Sequence, residues 1–161
     1  MVREAQPAEL AEVGELRVSA YQAEHLLDAN PRYARTLRAL GAADDEVLVA
    51  IDDGAIVGTA MLEPWHPGSE VARSPAEAEM RALAVSPQAR GRGVGGTLVR
   101  AVLDRAAARG ARRLVLCTQQ EMAAAQRLYL AQGFTRMPDR DWEPVPGLTL
   151  LAYGRPVTAG T

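Results

Sequence analysis

The sequence predicts an α/β fold, with helices on both faces of a mixed and mostly antiparallel central sheet. Three observations carry this. A hairpin signal lies at Glu46–Leu62, where two apolar runs flank Asp52-Asp53-Gly54. A strand–helix–strand run follows from Glu77 to Thr118, and its crossover is right-handed by the usual rule. Four glycines between Gly91 and Gly96 mark the joint between the first strand and the helix of that run.

Taken in order, Pro7 to Tyr21 reads as a helix, with Leu10, Val13, Leu16, Arg17 and Ala20 at helical spacing and Pro7 suited to a first turn. A second helical segment spans about 31–40 and is stopped by Gly41. Glu46–Ile51 and Ala55–Leu62 are the hairpin strands. Residues 63–76, with Pro64, Pro67, Gly68 and Pro75, read as a loop. Glu77–Val85 is a third strand, and a helix follows from about 93 to 109. Arg112–Thr118 is a buried strand. Met122–Gln132 is an alanine-rich helix with Gly133 beyond it, and Phe134 begins a further strand. Residues 139–147 read as a long turn, and Leu148–Tyr153 as the closing strand. The whole chain, 1–161, reads as one domain, with 153–161 as a loose tail.

Composition narrows the function. The chain has 161 residues, a net charge of −2 and a 48% hydrophobic share, so it can bury a core without disulfides and carries no global pull toward nucleic acid or anionic membrane. All 18 basic residues are arginine. A Schiff-base lysine and a P-loop lysine are therefore excluded. One cysteine excludes an internal disulfide and a cysteine-rich zinc site, and no metal is expected. The amino terminus lacks an apolar signal core, and no run approaches the length of a membrane span, so a soluble cytoplasmic protein is expected.

The glycine loop is the main chemical signal. Glycines allow a tight turn and close approach of backbone to a ligand. A helix beginning there presents free N–H groups and a positive dipole end, a seat for phosphate or pyrophosphate. Gly91-x-Gly93-x-x-Gly96 also satisfies the dinucleotide fingerprint, with Glu121 available as the supporting acid. Against that reading, Ser86 to Arg90 separate the motif from its strand. The motif is also mid-chain, and too little sequence follows it for a nucleotide-binding fold. A glycine turn without a ligand would set Arg90 and Arg92 against each other.

The pattern Gln88-Ala89-Arg90-Gly91-Arg92-Gly93, within Val85-x-Pro87-x-x-Arg90-Gly91-x-Gly93-Val94-Gly95-x-x-Leu98, resembles the acyl-CoA loop of the GNAT N-acetyltransferase superfamily. The resemblance runs through the element order end to end and is best from Glu79 to Phe134. It implies the GNAT fold with a splayed parallel strand pair, and acetyl-CoA as co-substrate. It also implies pyrophosphate held by backbone amides of Arg90 to Gly95, with Gln88, Val94, Gly96 and Thr97 in the same loop. Arg90 or Arg92 is expected to add a contact to phosphate and the Thr97 hydroxyl to cap the anion, although a solvated threonine is as good a reading. Leu83, Ala84 and Val85 match the backbone that pairs with the pantetheine arm, as a strand adds to an open edge. An N–H there would polarise the thioester carbonyl.

A second pattern, Ala125-x-x-x-Tyr129-x-x-x-Gly133-Phe134, resembles the family segment whose tyrosine protonates the leaving thiolate. This makes Tyr129 the expected general acid, since a phenol of pKa about 10 can donate to a thiolate of about 8.5. The alternative is a core tyrosine between helix and sheet. Where relatives carry asparagine seven residues earlier, this chain has Met122. Glu79 is the first candidate for the base that relieves the amine of its proton, by resemblance to the acid many relatives carry there. Glu77, two residues away on the same side of the strand, is not separable from it. Glu63 and His66 are further candidates, as is a water chain. Trp142, in Asp139-Arg140-Asp141-Trp142-Glu143, reads as a surface anchor or a stacking platform, and Cys117 as inert core.

The expected activity is transfer of acetyl from acetyl-CoA to a primary amine, of a small molecule or a protein, by direct attack in a ternary complex. A non-catalytic acyl-CoA sensor is the alternative. A monomer or homodimer is expected. The acceptor would be set by the loops at 22–45, 63–76 and 137–147, which carry no readable motif, and an overt acidic pocket there would favour a polycationic acceptor.

Overall fold

The computed structural model describes residues 1–41 and 44–158. Residues 42 and 43 of the 22–45 segment and 159–161 of the expected tail lie outside the described residues. The strands are β1 (Val2–Glu4), β2 (Glu46–Asp52), β3 (Ala55–Pro64), β4 (Glu77–Val85), β5 (Arg113–Gln119), β6 (Thr135–Arg136), β7 (Trp142–Val145) and β8 (Leu148–Pro156). The helices are α1 (Leu10–Ala23), α2 (Tyr33–Ala39), α3 (Val94–Ala108) and α4 (Ala123–Ala131). The hydrogen-bonding order is β1-β2-β3-β4-β5-β8-β6, with β7 paired to β8. β4 with β5 is a parallel pair, whereas β1–β2, β5–β8, β6–β8 and β7–β8 are antiparallel. This is the mixed α/β architecture expected from the sequence.

The fold resolves into two compact units. One comprises Met1–Met61 with Ala82–Ala101, the other Leu62–Arg81 with Val102–Thr161. In the first unit, Val13 of α1 packs on Val47 and Val49 of β2 and Met61 of β3. A second cluster joins Val18, Leu27, Leu37 and Ala82. Arg17 is only 1% exposed, and its Nη1 donates to the carbonyls of Leu37 (2.8 Å) and Leu40 (3.0 Å). The charge that interrupts the apolar face of α1 thus satisfies the free carbonyl end of α2. In the second unit, Val71, Ala72, Val115 and Ala152 form the core, with Trp65, Cys117 and Met137 against it.

The structure corrects the sequence reading in four places. Val2–Glu4 is a short strand paired to Leu48–Ala50, where no element was expected. β3 runs on through Glu63 and Pro64, so the loop begins at Trp65. The supposed turn at 139–147 contains a 3₁₀ turn at Pro138–Arg140 and then β7, which forms a hairpin with β8. Pro144 and Pro146 suggested a turn, but this strand pairs only irregularly, and a bulge between Trp142 and Val145 accommodates the proline. Residues 153–156, assigned to the loose tail, belong to β8 and pair with Arg113–Leu116.

β4 carries the fold's most unusual backbone. Its registered pairing with β5 joins Glu77, Ala78 and Glu79 to Arg113, Leu114 and Val115. Three residues later Ala82 stands at φ 54°. A non-glycine residue in the left-handed region costs roughly 1–2 kcal/mol and breaks the regular alternation of a strand. Such strain persists where surrounding structure holds it, and here Ala82 is buried among Val18, Leu27 and Leu37. The distortion lies immediately before Leu83–Val85, the backbone expected to meet the thioester arm.

Candidate active site

The glycine loop belongs to the first unit. After β4, Ser86 donates its backbone N–H to Val57 O, and a 3₁₀ turn at Pro87–Ala89 leads into the loop. Gly91 and Gly93 stand at φ 78° and 80°, and a Cβ added at either would meet open space. Their glycine identity is required by backbone conformation and leaves the loop's surface bare. α3 begins at once with Val94, and its first N–H groups have no partner within the helix. Open backbone at two glycines ahead of a 15-residue helix fits a pyrophosphate.

Gly58 on β3 explains how α3 comes so close. A Cβ there would lie 2.8 Å from Val94 Cγ1, 3.0 Å from Leu98 Cδ1 and 3.3 Å from Ala84 O. Gly58→Ala is expected to push the first turn of α3 outward at a cost of about 1–3 kcal/mol. It should weaken acetyl-CoA binding more than it lowers kcat, which calorimetry beside steady-state kinetics would read. Unchanged affinity would mean that α3 does not hold the anion.

The polar side chains of the loop have partners within the protein. Arg90 pairs with Glu24 at 2.6 Å and donates to Ala20 O, so it ties the loop to the end of α1. Arg92 pairs with Asp52 at 3.3 Å on an exposed surface. Each arginine thus has a carboxylate partner, and the repulsion expected without an anion is relieved in this way. The Thr97 hydroxyl donates to Gly93 O at 3.0 Å. Gln88 Oε1 accepts from the Ser86 hydroxyl at 2.6 Å.

The second unit holds Tyr129 and the acid candidates. Tyr129 lies on α4, is 4% exposed, and packs its ring against Phe134 (5.8 Å) and Tyr153 (6.1 Å). Burial pushes its phenol well above the ordinary value, with the neighbouring Cys117 and Tyr153 adding to the rise. A thiol in the same surroundings moves the same way, for burial first and then Glu70 and Glu79 push Cys117 up to about 12. At neutral pH Cys117 is therefore a thiol, a poor nucleophile.

The two strand glutamates, inseparable by sequence, are distinguished by their partners. Glu77 Oε1 accepts from Arg140 Nη1 at 2.7 Å and from the Arg73 amide at 2.8 Å, and Arg113 lies 3.8 Å from Oε2. Burial alone would push its carboxyl up, but these bonds and charges outweigh burial and hold it below the usual range. Glu77 is thereby a structural anion and a weak base. Glu79 is 1% exposed. Its Oε1 accepts from the amides of Val71 (2.9 Å) and Ala72 (3.1 Å), while Oε2 is buried with no hydrogen-bond partner among the described residues. Burial raises its carboxyl above the usual range, against the two amide bonds. Together Glu77, Glu79 and Arg140, which also donates to Val71 O (3.2 Å), strap down residues 71–73.

Glu63, on the end of β3, accepts from Arg81 Nη1 at 3.3 Å and lies 3.2 Å from His66 Nε2. His66 is half exposed. Arg81 also reaches Glu70 at 3.3 Å. Sequence reasoning missed Glu70, Arg81 and Arg140. Arg140 meets its partner across more than sixty residues, and the pairing leaves no local pattern.

The mixed α/β order, with an open glycine loop ahead of its crossover helix, fits the acetyltransferase class. A model of the acetyltransferase (GNAT) family matches residues 10–134, and this chain belongs to that family. That family draws acetyl from acetyl-CoA. A mycothiol acetyltransferase of Rhodococcus opacus is 50% identical over 66 residues, which make up 40% of this chain and 19% of that relative's length. Among solved structures, the ribosomal-protein-S18-alanine N-acetyltransferase of Escherichia coli aligns with a TM-score of 0.73 at 17% identity, covering 100% of this chain and 96% of that one. The yncA protein of Salmonella typhimurium, solved with its cofactor acetyl-CoA, aligns at 0.67 and 21% identity, covering 100% and 95%. These likenesses show the fold. Among the described residues no helix is long and apolar enough to cross a membrane.

Proposed function

We propose that this chain, acting as one domain in the cytoplasm, transfers acetyl from acetyl-CoA to a primary amine within a ternary complex. The observation that carries the reading is the pair of open, positive-φ glycines, Gly91 and Gly93, directly ahead of α3. Backbone amides of Arg90 to Gly95 take the pyrophosphate, and the backbone of Leu83 to Val85 takes the pantetheine arm and polarises the thioester carbonyl.

The amine nitrogen attacks that carbonyl, the C–N bond forms and the C–S bond breaks. The amine's proton leaves to Glu79, directly or through water. Tyr129 gives its phenolic proton to the departing thiolate. One proton is gained by a carboxylate and one is lost by a phenol, so exchange with solvent restores both groups. The raised phenol is not a mismatch, because a desolvated thiolate also holds its proton more tightly, as Cys117 does.

The test is calorimetric titration with acetyl-CoA, with NADH as control, followed by thiol release on an amine panel. Affinity on the order of micromolar for acetyl-CoA alone, with amine-dependent thiol release, is the expected result. Binding of NADH alone would overturn the loop assignment. Acetyl-CoA binding with no release on any amine would favour the sensor reading.

A further inference from the structure

Glu63 and Glu70 meet on Arg81 within the second unit, and Glu79 stands beside them on β4. Arg81 bridges Glu63 and Glu70 at 3.3 Å each, and Glu79 precedes it by two residues on the same side of β4. Two carboxylates therefore share one guanidinium with Glu79 in its field, and the half-exposed His66 lies 3.2 Å from Glu63. Surface solvation does not account for the cluster, because Glu63 and Glu79 are buried and Arg81 is mostly so. The buried Oε2 of Glu79, without a hydrogen-bond partner among the described residues, is the second and independent sign of an occupant. A carboxylate oxygen left dry without a donor costs far more than a solvated one, and buried acceptors are normally satisfied.

Electrostatics places Glu79 within the field of the cluster, where Glu70 pushes it up and Arg81 draws it down, burial being the larger cause of its rise. Glu70 itself is held above the usual carboxylate range, first by burial and then by Glu63, against Arg81. The buried indole N–H of Trp142 and the thiol of Cys117 lie in the same field. What the cluster lacks is positive charge carrying N–H donors. Arg81 at its centre leaves no all-carboxylate cage for a metal ion, and no metal-holding group is found among the described residues.

We propose that Glu63 and Glu70, paired on Arg81, together with the neighbouring Glu79 form an acceptor subsite for a small dication, an amine whose reacting nitrogen meets Glu79 and whose second ammonium is held by Glu70 and Glu63. The inference rests on the amine-acetylation reading above and names its substrate class as diamines and polyamines.

The experiment compares 1,4-diaminobutane with n-butylamine under saturating acetyl-CoA. The kcat/KM of the diamine is expected to exceed that of the monoamine by about tenfold or more, the return on one charge-assisted ammonium–carboxylate contact. Added salt should shrink the ratio through the diamine KM. Glu70→Gln, at a partly exposed position, should bring the ratio down toward about one, again through KM. Equal turnover of the two amines, or a preference for a peptide α-amine, would overturn the dication subsite while leaving amine acetylation intact. If no amine is acetylated, the function reading falls, and calorimetry of 1,4-diaminobutane with the CoA-saturated protein decides the subsite alone. Binding that Glu70→Gln abolishes supports it, and absence of binding overturns it.

Discussion

Tyr129→Phe is expected to lower kcat by about a hundredfold or more while leaving acetyl-CoA affinity within about twofold. The substitution removes one oxygen and keeps the ring that packs against Phe134 and Tyr153, so the apolar contacts of α4 survive. Loss of a proton donor to the leaving thiolate should appear in kcat rather than in binding. It should also be smallest for acetyl thioesters of acidic thiols, whose thiolates leave without help. Thiol-release kinetics with acetyl-CoA and with such a thioester measure both effects. An unchanged kcat in the Tyr129→Phe variant would return Tyr129 to the role of a core tyrosine.

Glu79→Gln should cost about a hundredfold in kcat/KM for the amine, with thermal stability nearly kept, because the amide oxygen still accepts from Val71 and Ala72. Glu79→Ala is different. It strands two buried backbone donors, each worth about 1–3 kcal/mol, and should destabilise the fold as well. The pH dependence has a definite sign. A folded carboxyl held above its ordinary value binds its proton more tightly than the unfolded chain does. Its contribution to stability is thus fully present below the ordinary carboxylate range, and is lost as pH rises through the raised folded value. Activity runs the other way and appears as the group ionises. Glu77 has the opposite stability sign, since its lowered carboxyl contributes above the ordinary range and fails on acidification. Wild-type rates in the Glu79→Gln variant, with a wild-type pH profile, would move the base to Glu63 or to water.

Much of this was legible in the chain. β4 begins and ends where the sequence predicts, at Glu77 and Val85, because charged and apolar residues alternate from Glu77 to Ala82, an apolar run follows to Val85, and Pro87 lies just beyond. α4 and the turn at Asp53 and Gly54, with φ 50° and 78°, follow equally from local chemistry. The glycine loop was legible because only glycine serves at Gly91 and Gly93. What escaped has physical reasons. β1 is three residues long with two of them charged, and exists only because β2 offers it an edge. Ala82 gives no sign of a left-handed backbone, since nothing in an alanine advertises one. The difference between Glu77 and Glu79 is made by Arg140 and by the amides of residues 71–73. Those partners are set by tertiary structure and cannot be read from spacing.

The strap on residues 71–73 bears on how this chain can be recombined with its relatives. A loop exchange that imported a foreign 65–76 segment would bring in amides and carbonyls with no Glu77, Glu79 and Arg140 placed to meet them. A crossover anywhere between Arg73 and Arg140 divides one hydrogen-bonded set between two parents. Chimeras that inherit 71–79 and 140 from the same parent are the ones that should keep this loop in place, and a recombination library should be cut outside those bounds.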